Sequence, residues 1–353
     1  MRQIILNKIM TTSLNQSSID LPKIVFGTSS LGNLFVALSD TVKRDIIAEC
    51  VKHSPGKVVF DSAGKYGAGL ALESIGKALS DLKVNPEKVV ISNKLGWFRT
   101  ELKTPEPTFE KGVWVDIKHD AVQMISYDGM MKCFEQGNEL LNGWSSEMVS
   151  VHDPDEYLAA ATSPEDEVKR YNDIMDAYRA LADLKASGKA KSVGIGAKDW
   201  RTIVRIAKDV ELDWIMVANS MTIKSHPAEL LEFMADMNNK GVPIINSAVF
   251  HSGFLIGGTH YDYKPVDENY PESAELKKWR DEFFSTCRHF NITPAEACVG
   301  YALNVPGVKS IALSTTNPKR VKSNIDMAHT VIPRDFWVQL VEKGLLDNAL
   351  GLI

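Results

Sequence analysis

The chain has 353 residues, of which 44% are apolar and 24% are charged, an ordinary composition for a globular protein. Its formal net charge is −5, and acidic and basic residues are interspersed without a basic stripe, which argues against a nucleic-acid partner. No apolar run approaches the roughly 18 residues of a membrane-spanning helix, and residues 1–18 match a signal peptide poorly. The four cysteines have neither CxxC nor zinc-site spacing, so we expect reduced thiols, no metal site and a cytoplasmic location.

Eight short runs of apolar and β-branched residues, each followed by a helical pattern, predict alternating strands and helices. The predicted strands cover residues 24–26, 57–60, 88–94, 148–152, 191–196, 214–219, 242–247 and 308–314. The predicted helices cover 41–52, 70–81, 127–141, 166–187, a segment from 200, 228–240, 273–290, 294–304, a segment from 318 and one beyond 333. Because the strands read as continuous apolar segments, they are typical of parallel strands buried on both faces. The sequence therefore predicts an α/β fold, a (β/α)8 TIM barrel that occupies residues 1–353 as a single domain.

A doubly wound sheet is the alternative fold, but it would need a glycine-rich dinucleotide-binding fingerprint. The nearest matches, GAGLAL at 67–72 and GIGAKD at 194–199, each lack the third glycine, which favours the barrel. Two long segments, 96–126 and 251–273, follow predicted strands and carry several aromatic residues. Since the loops after the strands surround the active sites of such barrels, we expect both segments to lie over the C-terminal mouth.

Polar residues stand where the predicted strands end, so their side chains should meet at the same mouth. Asp61 ends the second strand, Lys94 the third and His152 the fourth, while Tyr66 follows in the loop after Asp61. A lysine inside an apolar strand is costly to bury unless a carboxylate pairs with it, and Asp61 could be that carboxylate. A phenol beside the ammonium should have a lowered pKa, which suits proton transfer at an alcohol oxygen. A neutral His152 could then hold the substrate oxygen against Tyr66.

The segment FDSAGKYG, residues 60–67, resembles the DxAxxYG loop of the aldo-keto reductase family. The segments ISNKLGW, VSVHDP, SVGIG and STTNPKRVKSNI resemble that family in the same order along almost the whole chain. The resemblance implies a barrel that binds NAD(P) without a Rossmann domain and a catalytic tetrad of Asp61, Tyr66, Lys94 and His152. VHDPDEYL, GAKDW and INSAVFHSGFL are similar to the D-threo-aldose 1-dehydrogenase branch, which includes L-fucose and L-galactose dehydrogenases.

The same resemblance indicates where the dinucleotide would bind. The predicted cofactor-binding positions are Thr28, Asp61, Gly196, Asn219, Ser247, Ser314, Arg320 and Asn324. Two positions depart from the family pattern, because Gly196-Ala197 replaces a Ser-Asn pair and Ser247 replaces a tyrosine that stacks on nicotinamide. Asn219 or Asn246 could hold the nicotinamide amide instead.

The choice between NAD and NADP depends on the segment after the last predicted strand. Members of the family that prefer NADP carry a lysine at the position of Ser314, whereas Arg320, which could stack on adenine or pair with a phosphate, is kept. The helix that starts at Asn317-Pro318 should favour an anion in either case. The sequence therefore favours NAD as the cofactor and leaves NADP activity open.

The resemblance to this branch implies a function in carbohydrate metabolism. Members oxidise the anomeric carbon of an aldose to a lactone, so we expect a small sugar of the L-fucose, L-galactose or D-arabinose type, with Tyr66 as general base. Trp97 and Trp114 could stack on the sugar or pack within their loop, and His251 could contact substrate or only cap its loop. Pyridoxal 4-dehydrogenase, an NADPH-dependent aldehyde or ketone reductase, and a non-catalytic NAD(P)-sensing subunit are the alternatives. The oligomeric state is left open.

Overall fold

The structure is a computed structural model that describes residues 20–262, 264–267 and 271–347. The segment 1–18, which carries the signal-peptide interpretation, and parts of the second long loop lie outside the described residues. Within the described ranges, no helix combines the length and apolar content required to cross a membrane.

The described residues contain twelve β-strands. In chain order they are β1 (Ile24–Gly27), β2 (Val58–Ala63), β3 (Val89–Leu95), β4 (Trp97–Glu101), β5 (His119–Gln123), β6 (Met148–His152), β7 (Ser192–Ala197), β8 (Trp214–Ala218), β9 (Ile244–Ser247), β10 (His260–Tyr261), β11 (Lys264–Pro265) and β12 (Val308–Leu313). Eight of them, β1, β2, β3, β6, β7, β8, β9 and β12, form a closed parallel barrel. Each barrel strand pairs with the barrel strand that follows it in the sequence, and β12 pairs with β1 to close the barrel. The predicted (β/α)8 barrel is confirmed, and each of its eight predicted strands is present.

Eleven α-helices lie within the described ranges. They are α1 (Asp40–His53), α2 (Leu70–Asp81), α3 (Tyr127–Leu140), α4 (Pro154–Ala159), α5 (Pro164–Ala186), α6 (Trp200–Ile206), α7 (Ala228–Asn239), α8 (Pro271–His289), α9 (Pro294–Asn304), α10 (Val321–Met327) and α11 (Arg334–Glu342). Side-chain caps explain several starts, such as the capping box of Thr293 and Glu296 at α9. The helix predicted from Pro318 begins instead as a 3-10 turn, Pro318–Arg320, which leads into α10. The short helix α4, directly after β6, is not predicted by the sequence pattern.

Apolar side chains of alternating strand residues fill the lower part of the barrel interior. This cluster consists of Val25, Val59, Val90, Met148, Trp214, Met216 and Ile245. The indole of Trp214 lies across Gly194, where an added Cβ would be 2.2 Å from the ring. A glycine on β7 therefore makes room for the largest side chain of the core, and the barrel is closed below its mouth.

The long segment 96–126 folds over the mouth as an antiparallel hairpin of β4 and β5, which the sequence pattern does not predict. Its tip has a small apolar core in which Phe109, Trp114 and Ile117 pack with Ala68. The backbone beside Trp114 is joined to the first barrel loop, because the amide of Phe35 donates to the carbonyl of Val113 at 2.8 Å. The expected position of this loop over the C-terminal mouth is confirmed.

Candidate active site

A cleft of about 1760 Å³ opens at the C-terminal ends of the barrel strands. Residues at the ends of all eight strands line it, together with parts of both long loops. Ligand pockets for drug-sized molecules usually measure about 300–1,000 Å³. The cleft is therefore large enough for a dinucleotide together with a small second molecule.

A buried chain of polar contacts lies at the base of the cleft. The ammonium nitrogen of Lys94 donates to Oδ2 of Asp61 at 2.5 Å and to the phenolic oxygen of Tyr66 at 3.1 Å. The strand register explains the first contact, since Lys94 on β3 pairs with Ala63 on β2, two residues beyond Asp61. Both charged residues are about 95% buried, with exposed fractions of 5% and 4%. Burial alone would lower the pKa of Lys94, but Asp61 and the Tyr66 oxygen together raise the pKa above its ordinary value and keep the lysine charged.

Tyr66 lies between this ammonium and the cleft. Burial raises the pKa of the Tyr66 phenol to about 12, whereas the charge of Lys94 alone would lower it. The expectation of a lowered pKa is therefore wrong for the net value, although it is right for the interaction with Lys94. The net pKa is raised because burial destabilises the phenolate more than the neighbouring Lys94 ammonium stabilises it. At neutral pH the phenol carries its proton, and its oxygen accepts a hydrogen bond from the Lys94 ammonium.

His152 completes the group at the end of β6. Its ring meets the Tyr66 ring edge-on, with centroids 5.6 Å apart. Burial lowers the pKa of His152 to about 3, so the imidazole is neutral at physiological pH. Its Nε2 lies 3.5 Å from Oδ2 of Asp153, and its Nδ1 has no hydrogen-bond partner in the described part of the protein. A neutral, buried imidazole beside a phenol can hold a substrate oxygen by a hydrogen bond.

The predicted cofactor positions fall into two sets. Those that line the cleft are Asp61, Gly196, Asn219, Ser247, Ser314, Arg320 and Asn324. Thr28 does not line it, because its buried hydroxyl donates to the carbonyl of Asp61 at 2.9 Å. Thr28 therefore connects β1 to β2 instead of contacting a ligand in the cleft.

A buried polar atom without a hydrogen-bond partner at the cleft indicates whether a nicotinamide dinucleotide fits there. Oδ1 of Asn219 is buried and accepts no hydrogen bond from any described residue, and Asn219 lines the cleft. This oxygen fits an amide N–H donor such as the one a carboxamide carries. The Oδ1 of Asn246, the other candidate for this contact, also has no hydrogen-bond partner among the described residues, but Asn246 is fully buried and does not line the cleft. Its amide nitrogen donates to the carbonyl of Met221 at 2.7 Å. The residues present fit the cofactor, with Asn219 as the favoured amide contact.

The two tryptophans proposed for substrate contact differ in position. Trp114 lines the cleft, and its ring lies 5.8 Å from the ring of Tyr66. Trp97 does not line the cleft and packs against Phe109 at 5.5 Å. Trp97 is therefore part of the packing of the hairpin, and its predicted role as a substrate contact is not supported by the geometry.

His251 has a structural role in the second loop. Its Nδ1 lies 2.7 Å from Oδ1 of Asp262, and its Nε2 lies 2.7 Å from Oγ1 of Thr222. The imidazole also stacks on Tyr261, with centroids 4.4 Å apart. These contacts bury it almost completely, so the interpretation of His251 as a residue that holds its loop is favoured.

Sequence reasoning missed one charged residue of the site, Lys65. It immediately precedes Tyr66, is buried, and its ammonium lies within 3.3 Å of three carboxylates, those of Glu110, Asp153 and Glu156. The sequence does contain a signal, since a lysine stands inside a loop otherwise made of small residues and Tyr66. Its partners, however, come from distant segments and no local pattern names them.

A parallel (β/α)8 barrel with a buried carboxylate, ammonium, phenol and imidazole at its mouth has the architecture of a barrel enzyme. Residues 23–344 match the model of the Aldo/keto reductase family, and the chain belongs to this family of oxidoreductases, which use NAD(P)(H). The resemblance seen in the sequence is thereby confirmed.

Two curated proteins are similar to this chain over nearly their whole length. The pyridoxal 4-dehydrogenase of Microbacterium luteolum is 25% identical over 349 residues, which are 95% of this chain and 97% of that protein. The D-threo-aldose 1-dehydrogenase of a Pseudomonas species is 24% identical over 344 residues, which are 93% and 95% of the two chains.

Solved structures support the fold. An aldo-keto reductase of Bacillus halodurans in its holo form has a TM-score of 0.65 at 19% identity and covers 92% of each chain. The glycerol dehydrogenase of Gluconobacter oxydans has a TM-score of 0.67 at 16% identity, with 92% and 93% covered. At these identities the likeness concerns the fold alone.

Proposed function

We propose that this protein is an NAD(P)-dependent aldose 1-dehydrogenase that oxidises the anomeric carbon of a sugar of the L-fucose, L-galactose or D-arabinose type to the lactone. The observation that carries the proposal is the contact of Lys94 with both Asp61 and Tyr66 at the base of a cleft of sufficient size. The D-threo-aldose 1-dehydrogenase relative supports the choice of substrate class.

Each residue of the group has a separate role in this proposal. Tyr66 reacts in its phenolate form, which Lys94 stabilises, and accepts the proton of the anomeric hydroxyl as the C1–H bond breaks. Asp61 keeps Lys94 charged and fixes its position. Neutral His152 holds the sugar oxygen by a hydrogen bond. A bound nicotinamide would supply the acceptor for the hydride that leaves C1.

We propose NAD as the preferred cofactor. Ser314 lines the cleft near Arg320 and Asn324 and offers a neutral hydroxyl where a cation would be needed to pair with a 2′-phosphate. Arg320 is exposed and can contact the adenosine or a phosphate of either dinucleotide. The four free cysteines are all buried, which supports a cytoplasmic location.

Two observations favour neighbouring activities as second candidates. The similarity to a pyridoxal 4-dehydrogenase favours pyridoxal, whose cyclic hemiacetal form presents the same oxidisable carbon as an aldose. The Tyr66 pKa of about 12 favours carbonyl reduction, because a protonated phenol is the form that donates a proton to a carbonyl oxygen. Both activities would use the same four residues.

A substrate panel separates these candidates. L-fucose, L-galactose, D-arabinose and pyridoxal are each tested with NAD and with NADP, and reduced cofactor is followed by absorbance, while simple aldehydes are tested with NADH and NADPH. Fast oxidation of an aldose with NAD is the expected result. Fast aldehyde reduction with negligible sugar oxidation would instead establish a reductase.

The Tyr66→Phe variant tests whether the chemistry runs through the phenol. We expect kcat to fall by about 10²–10⁴-fold, the usual contribution of general acid–base catalysis, while cofactor affinity stays near that of the wild type. The variant keeps the ring that packs at 5.8 Å on Trp114, so the shape of the cleft is preserved. Full activity in Tyr66→Phe would contradict the assignment.

A further inference from the structure

A cluster of charges on the substrate side of the cleft is not used by the proposed chemistry. The ammonium nitrogen of Lys65 lies 2.7 Å from Oε1 of Glu110, 3.0 Å from Oδ2 of Asp153 and 3.3 Å from Oε2 of Glu156. These four residues, the Lys65 cluster, come from the loop after β2, the tip of the hairpin and the start of α4. One buried ammonium thus joins three segments that are far apart in sequence.

Three members of the Lys65 cluster, Lys65, Asp153 and Glu110, each adjoin a residue of the site. Lys65 is the neighbour of Tyr66 in the chain, and Asp153 is the neighbour of His152. The second carboxylate oxygen of Glu110 accepts a hydrogen bond from the indole nitrogen of Trp114 at 2.7 Å. The phenol, the imidazole and the indole that surround the substrate position are therefore all connected to Lys65.

The charge of Lys65 is permanent under physiological conditions. Burial lowers the pKa of a lysine, but the carboxylates of Asp153, Glu110 and Glu156 together raise the pKa of Lys65 above its ordinary value. Breaking one ion pair of such a buried network lowers the free energy of unfolding, since it leaves the remaining charges without full compensation. The geometry of the cluster is thus held firmly.

The contact between Glu110 and Trp114 involves the indole, which also packs against Phe109 and Ile117, and does not involve the backbone of the loop. The backbone on one side of Trp114 is fixed by the Phe35 amide, which donates to Val113 at 2.8 Å, and on the other by the Val115 amide, which donates to Asn33 at 3.0 Å. Loss of the Glu110 acceptor would therefore remove the polar contact that orients the Trp114 indole, while the backbone stays in place.

We infer that Lys65 is a positioning residue that, through Glu110, orients the Trp114 indole against Tyr66 and so forms the substrate-side wall of the cleft. It acts on substrate binding and does not contact the reacting atoms, because Lys94 and not Lys65 contacts the Tyr66 oxygen. The cofactor positions that follow β12, Ser314, Arg320 and Asn324, lie outside the cluster. This inference rests on the proposed function only for the identity of the substrate.

Three variants test the arm that ends at Trp114. Glu110→Met keeps the length of the side chain but removes both acceptor oxygens, Trp114→Phe removes the indole donor, and the double variant removes both. Each single variant should raise KM by about tenfold, the effect of losing one hydrogen bond to a charged group, with kcat within about threefold of wild type. Glu110→Met also breaks the ion pair with Lys65, but because the cluster acts on KM through the Trp114 indole, the double variant should raise KM no further than Trp114→Phe. An unchanged KM in Glu110→Met, or a double effect equal to the product of the single effects, would overturn the inference.

Three further variants separate this role from general stability. Glu167→Met is the matched control, since it breaks an ion pair of the same length, 2.7 Å to Arg205, outside the cleft, and it should leave KM unchanged. Lys65→Met leaves three carboxylates without their cation and is expected to destabilise the fold. Lys65→Arg keeps the positive charge and should retain KM within about threefold of the wild-type value, because none of the three carboxylates loses its cation.

A measurement without substrate keeps the inference distinct from the proposed function. The fluorescence of Trp114 is obtained by subtracting Trp114→Phe from wild type, and its quenching by acrylamide is then compared with the same subtraction made in the Glu110→Met background. Faster quenching in that background is expected whether or not any sugar is oxidised. Equal quenching would overturn the inference even in an active aldose dehydrogenase, whereas a failed substrate panel with faster quenching would refute only the proposed function.

Discussion

The ion pair of Lys94 and Asp61 should be essential for activity but dispensable for stability when both charges are removed together. In Lys94→Met the Asp61 carboxylate stays 96% buried and loses its only side-chain partner within the described residues, since its Oδ1 already has none. Breaking a buried pair on one side costs about 3–5 kcal/mol of folding free energy. The double variant Asp61→Asn/Lys94→Met removes both charges of this pair and should recover most of that loss, because neutral replacements of similar volume are well tolerated.

Turnover, unlike stability, should stay low in both the single and the double variant, so the two measurements separate the two roles of the ion pair. Lys94 is the cation that lowers the phenol's pKa against the effect of burial, so both variants should lose about 10²–10⁴-fold in kcat. Stability is measured by urea unfolding and turnover by NAD-linked absorbance. Lys77→Met is the control, since its exposed pair with Asp40 at 3.0 Å should contribute less than about 1 kcal/mol. A double variant that recovers turnover along with stability would refute the reasoning.

Three further predictions concern pH, cofactor choice and core packing. Because burial lowers the His152 pKa to about 3, kcat/KM for oxidation should show no histidine inflection between pH 5 and 8. Because burial raises the Tyr66 pKa to about 12, kcat/KM should increase with pH as the phenolate fraction rises. An inflection near the ordinary histidine pKa of about 6.5 would contradict the burial of His152. Ser314→Lys should lower KM for NADP by about tenfold and leave KM for NAD nearly unchanged, as steady-state kinetics with both cofactors would reveal. Gly194→Ala should cost about 1–3 kcal/mol in urea unfolding, since the new methyl group would lie 2.2 Å from the Trp214 ring; a variant as stable as the wild type would contradict the packing described for β7.

The barrel could be predicted because its elements depend on local sequence signals. The helix predicted over 70–81 is α2, Leu70–Asp81, and the helix predicted over 294–304 is α9, Pro294–Asn304, with its capping box. Such boundaries follow from caps, glycines and prolines that act within a few residues. The pairing of β4 with β5 could not be predicted, because it joins residues on both sides of a loop whose aromatic side chains pack on one another.

Three residues of the site could be predicted because a residue's position along a barrel strand decides where its side chain lies. Asp61, Lys94 and His152 lie at strand ends of a parallel barrel, so topology alone brings them to one mouth. Trp97 and Trp114 lie in the same segment, yet only Trp114 lines the cleft, because hairpin packing turns Trp97 towards Phe109. Lys65 escaped prediction since Asp153, one of its partners, is 88 residues away.

The pKa of Tyr66 shows why a contact predicted correctly can still have an unexpected consequence. Lys94 lowers that pKa, as the sequence suggested, but burial raises it, and so do the charges of Asp61 and Asp153. Asp61 is the residue that keeps Lys94 charged, so the carboxylate that makes the lysine useful also opposes the ionisation of the phenol. The direction in which the site moves a proton is therefore decided by the balance of all charges around a buried oxygen. A positive charge brought into the cleft by a ligand would shift that balance towards the phenolate and hence towards oxidation.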